Sequence, residues 1–132
     1  MILVDTSGWV EFLRDTGSGV CRAVDRLLGA HIAICDAVSM EVLAGARDER
    51  HLADLRGLLG LATVLPTTPA DYDEAAALYR ECRRNGETVR KLIDCLIGAV
   101  AMQAGAEILH ADADFAVLAR HTALRAHAAS LR

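Results

Sequence analysis

Five acids sit where carboxylates could do chemistry. Asp5 directly follows the apolar run Ile2-Leu3-Val4, and Glu41 lies within Val38-Ser39-Met40-Glu41-Val42-Leu43-Ala44-Gly45. Asp94 interrupts Leu92-Ile93-Asp94-Cys95-Leu96-Ile97-Gly98, and Asp112 and Asp114 follow Glu107-Ile108-Leu109-His110. On a helical wheel Asp94 lies about 60° from Ile97 and about 40° from Gly98, bordering a buried stripe. An ionised carboxylate there is costly unless a cation or several donors meet it. Each acid alone has a plain alternative. Asp94 could pair with Arg90 at i, i−4, Glu41 could sit on a solvated helix face, and Asp5 and Asp114 could cap helices. Gathered in one pocket they would repel each other and raise each other's pKa values, which a hard divalent cation relieves. Mg²⁺ or Mn²⁺ suits such an all-oxygen set. The histidines (31, 51, 110, 121 and 127) contain no His-x-x-x-His pair and offer no rival zinc site.

Convergence of these acids requires a particular arrangement of elements. Short apolar runs at Ile2–Val4, Ile32–Ile34, Thr63–Leu65 and Glu107–His110 read as strands, and Leu124–Ala126 as a last edge strand. Between them the pattern predicts helices over about Gly8–Arg14, Ser18–Leu28, Asp36–Gly45 with Asp36 as its N-cap, and Asp48–Leu59. Thr68-Pro69 opens a helix running to Arg84, Thr88 opens one to Ala104, and a final helix spans Asp114–Arg120. Strands alternating with helices indicate an α/β fold with a parallel sheet, whose ligands collect beyond the C-terminal strand ends. Asp5 and the Asp112–Asp114 pair follow two such ends.

The composition bounds the rest. The chain has 132 residues, 53% hydrophobic and 24% charged, which is one globular domain over 1–132 and excludes disorder. Five aromatic residues are too few for a module that reads RNA by exposed stacking rings. No apolar stretch approaches the roughly 20 residues of a membrane helix, and no leader is evident, so a cytoplasmic protein is expected. Cys21, Cys35, Cys82 and Cys95 form no Cys-x-x-Cys pair and read as buried free thiols. Net charge is −4, which argues against a nonspecific nucleic-acid coat. With the five pocket acids set aside, however, 14 basic residues face 13 acids, and Arg80, Arg83, Arg84, Arg90 and Lys91 cluster within twelve positions. Phosphate contact by Arg84, Arg90 and Lys91 and an ordinary solvated helix end are both open readings of that cluster.

Taken in order, Val4-Asp5-Thr6-Ser7, Met40-Glu41, Leu92-Ile93-Asp94-Cys95 and His110-Ala-Asp112-Ala-Asp114-Phe115 resemble a PIN-domain ribonuclease of the VapC toxin type, across essentially the whole chain. The resemblance implies a three-layer α/β/α sandwich with a short, mainly parallel sheet. It also implies a pocket binding Mg²⁺ or Mn²⁺ that hydrolyses a phosphodiester of structured RNA, tRNA or rRNA, by metal-activated water. Carried over residue by residue, Asp5, Glu41, Asp94 and Asp112 match the family's acidic quartet and Asp114 its frequent fifth acid. Asp5 and Asp94 are the foremost metal ligands, and Thr6 and Ser7 match hydroxyls that steady the first acid. Ala111 and Ala113 depart from the polar residues common at those spacer positions. A VapB-like antitoxin and a homodimer are the implied protein partners. Two other readings are a Mg²⁺-dependent phosphatase using Asp112-x-Asp114, disfavoured because Lys91, the only lysine, opens another helix, and a non-catalytic module on the same fold.

Overall fold

Leu3, Val4, Ile32, Ala33, Ile34, Ile108 and Leu109 are each no more than 1% exposed. Consecutive strand residues can be this buried only when both faces of their sheet are covered. The structure, a computed structural model, describes residues 1–131. Its strands are β1 (Ile2–Val4), β2 (Ile32–Ile34), β3 (Thr63–Val64) and β4 (Glu107–Leu109), all parallel and ordered β3-β2-β1-β4. The helices are α1 (Thr6–Leu13), α2 (Gly19–Leu27), α3 (Asp36–Ala44), α4 (Glu49–Leu59), α5 (Pro69–Arg84), α6 (Leu92–Gln103) and α7 (Ala113–His121). They enclose the sheet in a three-layer α/β/α sandwich, with α5 packed along α6 and α1 against α2.

The strand order creates the site. The chain moves outward from β1 through β2 to β3, then returns to the other side of β1 as β4. Ile2 therefore pairs with both Ile32 and Glu107, and Val4 with Leu109. The reversal leaves a crevice beyond the C-terminal ends of β1 and β4, where open α/β sheets bind ligands. Gly8 lets α1 begin directly at this crevice. A Cβ at that position would fall 2.8 Å from Val4 Cγ1 and 3.1 Å from the Leu109 carbonyl oxygen.

Several element ends differ from the sequence reading, each for a local reason. Helix α1 starts at Thr6 rather than Gly8 because Asp5 itself is the N-cap. Asp36 is the first residue of α3, and buried Cys35 holds the cap position without a side-chain bond. Helix α6 starts at Leu92, not Thr88. Strand β3 ends at Val64, although the Leu65 N–H still donates to the Ile34 carbonyl at 2.8 Å. Leu124–Ala126 is no strand but a single parallel bridge, Ala126 to Ile108. The segment is nonetheless tied to β4: the Ile108 N–H donates to the Arg125 carbonyl and the His127 N–H to the Ile108 carbonyl. All four cysteines are buried and free. Among the described residues no helix is long and apolar enough to cross a membrane.

Candidate active site

Asp5 leaves β1 in extended conformation and turns the chain into α1. Its Oδ2 accepts the Ser7 N–H at 3.0 Å and the Ser7 hydroxyl at 2.6 Å. The same hydroxyl oxygen accepts the Ala111 N–H at 2.9 Å, and the Asp5 N–H donates to the Leu109 carbonyl at 3.0 Å. Ser7 thus rivets the β1–α1 turn to the loop leaving β4. Asp5 Oδ1 is buried with no hydrogen-bond partner. Burial pushes the Asp5 carboxyl up, the Ser7 bonds pull it down, and Glu41 adds repulsion, leaving it above the usual range. Glu41 reaches the crevice from α3 and accepts the Thr6 hydroxyl at 2.7 Å.

Asp94 stands in the first turn of α6 and is 1% exposed. Its Oδ2 also has no hydrogen-bond partner. Burial, the adjoining Asp114 and the Asp5 charge push Asp94 up to about 8 against the pull of Lys91, whose Nζ lies 3.6 Å away. The alternative Asp94–Arg90 pair does not form. Arg90 turns instead to Asp112, at 3.1 Å, and Asp114, at 3.3 Å.

Asp112 and Asp114 are held differently. Asp112 caps α7, with Oδ1 accepting the Asp114 N–H at 2.9 Å and Oδ2 the Lys91 ammonium at 2.8 Å. Burial raises its carboxyl, but Lys91 and the Asp114 N–H outweigh burial and leave it lowered. Asp114 is 1% exposed and takes the N–H groups of Arg90 and Lys91, both at 3.0 Å. Burial again opposes ionisation there, and the two N–H groups, Asp94 and the Arg90 guanidinium overcome it.

Oxygens of Asp94, Asp112 and Asp114 all lie within 4.8 Å of one another. Asp5, Glu41 and Asp94 share a cavity of about 290 Å³ whose wall also includes Thr6, Ser7 and Lys91. Asp94 is the hinge between the two sets, and Asp112 and Asp114 are not on the cavity wall. Glu11 is, and the sequence reading missed it; its signal is a position one turn beyond Ser7 on the same face of α1. Arg84 pairs with Glu81 on its own helix. His110 does not line this cavity: its buried ring is pushed down to about 4 by desolvation and so stays neutral, and its Nδ1 accepts the Asp112 N–H at 3.2 Å. The donor set fits a hard divalent cation, because two buried carboxylate oxygens form no hydrogen bond, Asp94 Oδ2 having the Lys91 ammonium at 3.6 Å, and the rest of the set is oxygen.

The PIN domain family model matches residues 2–121. Over 130 residues the chain is 48% identical to the VapC ribonuclease Mb1587 of Mycobacterium bovis, covering 96% of this chain and 97% of that protein. It is equally similar to ribonuclease VapC11 of Mycobacterium tuberculosis. The chain belongs to the PIN-domain family, in its VapC branch. Solved structures agree on the fold. VapBC2 from Rickettsia felis, bound to a promoter DNA fragment, matches with a TM-score of 0.76 at 19% identity, covering 96% of this chain and 98% of that one. VapC20 of Mycobacterium tuberculosis matches at 0.68 and 19% identity, covering 95% and 99%. In this PIN chain Asp5, Glu41 and Asp94 meet at the β1/β4 crevice, where the sheet reverses strand order.

Proposed function

We propose that this chain is a metal-dependent endoribonuclease, the toxin of a VapBC-like toxin–antitoxin pair, acting in the cytoplasm on structured RNA such as tRNA or rRNA. One observation carries the reading: two acids from distant parts of the chain, Asp5 and Asp94, each bury an oxygen that accepts no hydrogen bond at one crevice, with the Lys91 ammonium 3.6 Å from that of Asp94. Burying paired charge without partners is destabilising, and a cation that completes the pair removes the cost. Mg²⁺ or Mn²⁺ is the ion proposed, with Asp5 and Asp94 as its direct ligands and Glu41 and Asp112 at its margin. When bound, such an ion lowers the pKa of a coordinated water and offsets charge on the phosphate.

The chain's own residues do the rest. Ser7 fixes Asp5 through Oδ2, Thr6 holds Glu41, and both acids line the same cavity. Asp114 positions the start of α6, and with it Asp94, through the Arg90 and Lys91 N–H groups. Asp112, with a 12% exposed side chain whose oxygens are held by Arg90, Lys91 and the Asp114 N–H, is the acid proposed to orient water. Arg90 and Lys91 stand beside the acids with room to meet backbone phosphate. A VapB-like antitoxin, in line with the VapBC complexes of similar fold, and a homodimer are the protein partners proposed.

A phosphatase using Asp112 gains one feature and loses another. Lys91 does reach Asp112, although it belongs to another helix, which removes the ground on which the sequence disfavoured that reading. Both Asp112 oxygens are, however, engaged in capping and ion pairing, and neither is a free nucleophile. Incubation of total RNA with the purified protein, with Mg²⁺ and then EDTA, tests the proposal. Discrete cleavage that needs Mg²⁺ and vanishes in Asp5→Asn and Asp94→Asn is expected. Intact RNA with folded protein and Mg²⁺ would overturn it, and full activity of Asp112→Asn would remove the water-orienting role.

A further inference from the structure

The acidic cavity has a basic neighbour. Ala76, Tyr79, Arg80 and Arg83 recur at i, i+3, i+4 and i+7 on α5, so they share one face of the helix. With Arg90 they line a groove of about 440 Å³. The acids interleaved in this stretch are already engaged elsewhere. Glu81 pairs with Arg84, and Glu87 accepts Arg120 at 2.7 Å and His121 at 2.8 Å. Among the described residues Arg80 and Arg83 have no acidic partner within salt-bridge distance. The Arg83 guanidinium lies 5.6 Å from the centre of the half-buried Tyr79 ring, which orders the pair before any ligand arrives.

Two adjacent residues link the regions. Arg90 lines this groove and bonds Asp112 and Asp114, and Lys91 lines the acidic cavity. A polyanion with one phosphate at the acidic cavity would meet Lys91 first, then Arg90, Arg80 and Arg83. Such a track is needed, because a chain of net charge −4 with carboxylates around its site repels nucleic acid unless cations are grouped along the approach. A groove of clustered arginines is how proteins track a nucleic-acid backbone without reading its sequence.

We propose that the α5 groove is a phosphate-binding track for the RNA strand flanking the scissile bond, with Arg80 and Arg83 on the backbone and Tyr79 as a stacking face. It rests on the ribonuclease reading. The cluster's other arginine, Arg84, lies outside the track.

Filter binding of end-labelled bulk tRNA, in EDTA to prevent turnover, tests it between about 50 and 200 mM KCl. Arg80→Gln/Arg83→Gln is expected to weaken binding about tenfold and to flatten the log–log salt slope by roughly one to two. Arg84→Gln is expected to change neither. In Mg²⁺ the double variant is expected to raise KM for tRNA cleavage while kcat stays near wild type. If wild type cleaves RNA and the double variant keeps wild-type affinity, slope and KM, the track is wrong and the ribonuclease reading stands. If wild type neither binds nor cleaves bulk tRNA or rRNA in Mg²⁺, the ribonuclease reading fails and the track with it.

Discussion

Two hollows on this chain differ in size and in chemistry. The larger, about 720 Å³, runs between α3, α5 and α6 and is lined mainly by apolar groups, among them Met40, Tyr72 and Leu92. The smaller, about 290 Å³, holds Asp5, Glu41 and Asp94. Volume and apolar lining would pick the first as a ligand site. Energetics pick the second. Exposed apolar side chains lose little by staying in water, whereas buried carboxylate oxygens without donors are destabilising and have to be explained by what they bind. A site is marked by the price the fold pays to keep it.

That contrast can be broken by experiment, beginning where the effect is largest. Asp5→Asn or Asp94→Asn should lower Mg²⁺-dependent RNA cleavage by about 10²–10³-fold, the range seen when one preorganised charge-stabilising group is lost. Rates measured on folded protein check this. The next effect is on pH. Burial and its acidic neighbours raise Asp94 from 3.8 to about 8, so over that window the folded state holds a proton that the unfolded state has released. Metal-free stability should therefore fall as pH rises from about 4 to 8, by at most about 1.4 kcal/mol per pH unit, and level off above. Urea titrations at pH 6 and 8 should show a shallower fall in Asp94→Asn.

Smaller effects test how the crevice is built. Gly8→Ala forces a methyl against Val4 and the Leu109 carbonyl and should cost about 1–3 kcal/mol by urea denaturation. Ser7→Ala removes the hydroxyl that joins Asp5 to Ala111, at a cost of about 1–2 kcal/mol, with a weaker Mg²⁺-induced rise in Tm. On the apolar groove, Tyr72→Ser should change stability by no more than about 0.5 kcal/mol and leave that Tm rise intact. An effect of Tyr72→Ser as large as that of Ser7→Ala would erase the distinction between the two hollows.

Local signals in the sequence explain much of this architecture. Strands β1 and β2 lie where continuous apolar runs place them, because a parallel sheet covered on both faces needs no alternation. Helix α5 announces itself through Thr68, Pro69 and Asp71, a capping box with proline at the first turn. Helix α6 does not, because the groups that receive the Arg90 and Lys91 N–H groups belong to Asp114, more than twenty residues away. No local window contains that bond. The same distance effect hides the partners of Arg90, which sequence spacing assigns to Asp94 and tertiary structure assigns to Asp112 and Asp114. The five acids were legible as types in an order; Ser7 as a rivet and Arg80–Arg83 as one helix face required the fold.

The crevice is sewn from strands far apart in the chain: β1 supplies Asp5, and β4, Glu107–Leu109, supplies the opposite wall. A ribosome that has translated as far as α5 has made only Asp5 and Glu41 of the five acids and nothing to pair with the free edge of β1. Such long-range closure comes late in folding. The crevice is therefore completed only after β4 has been made and has paired with β1.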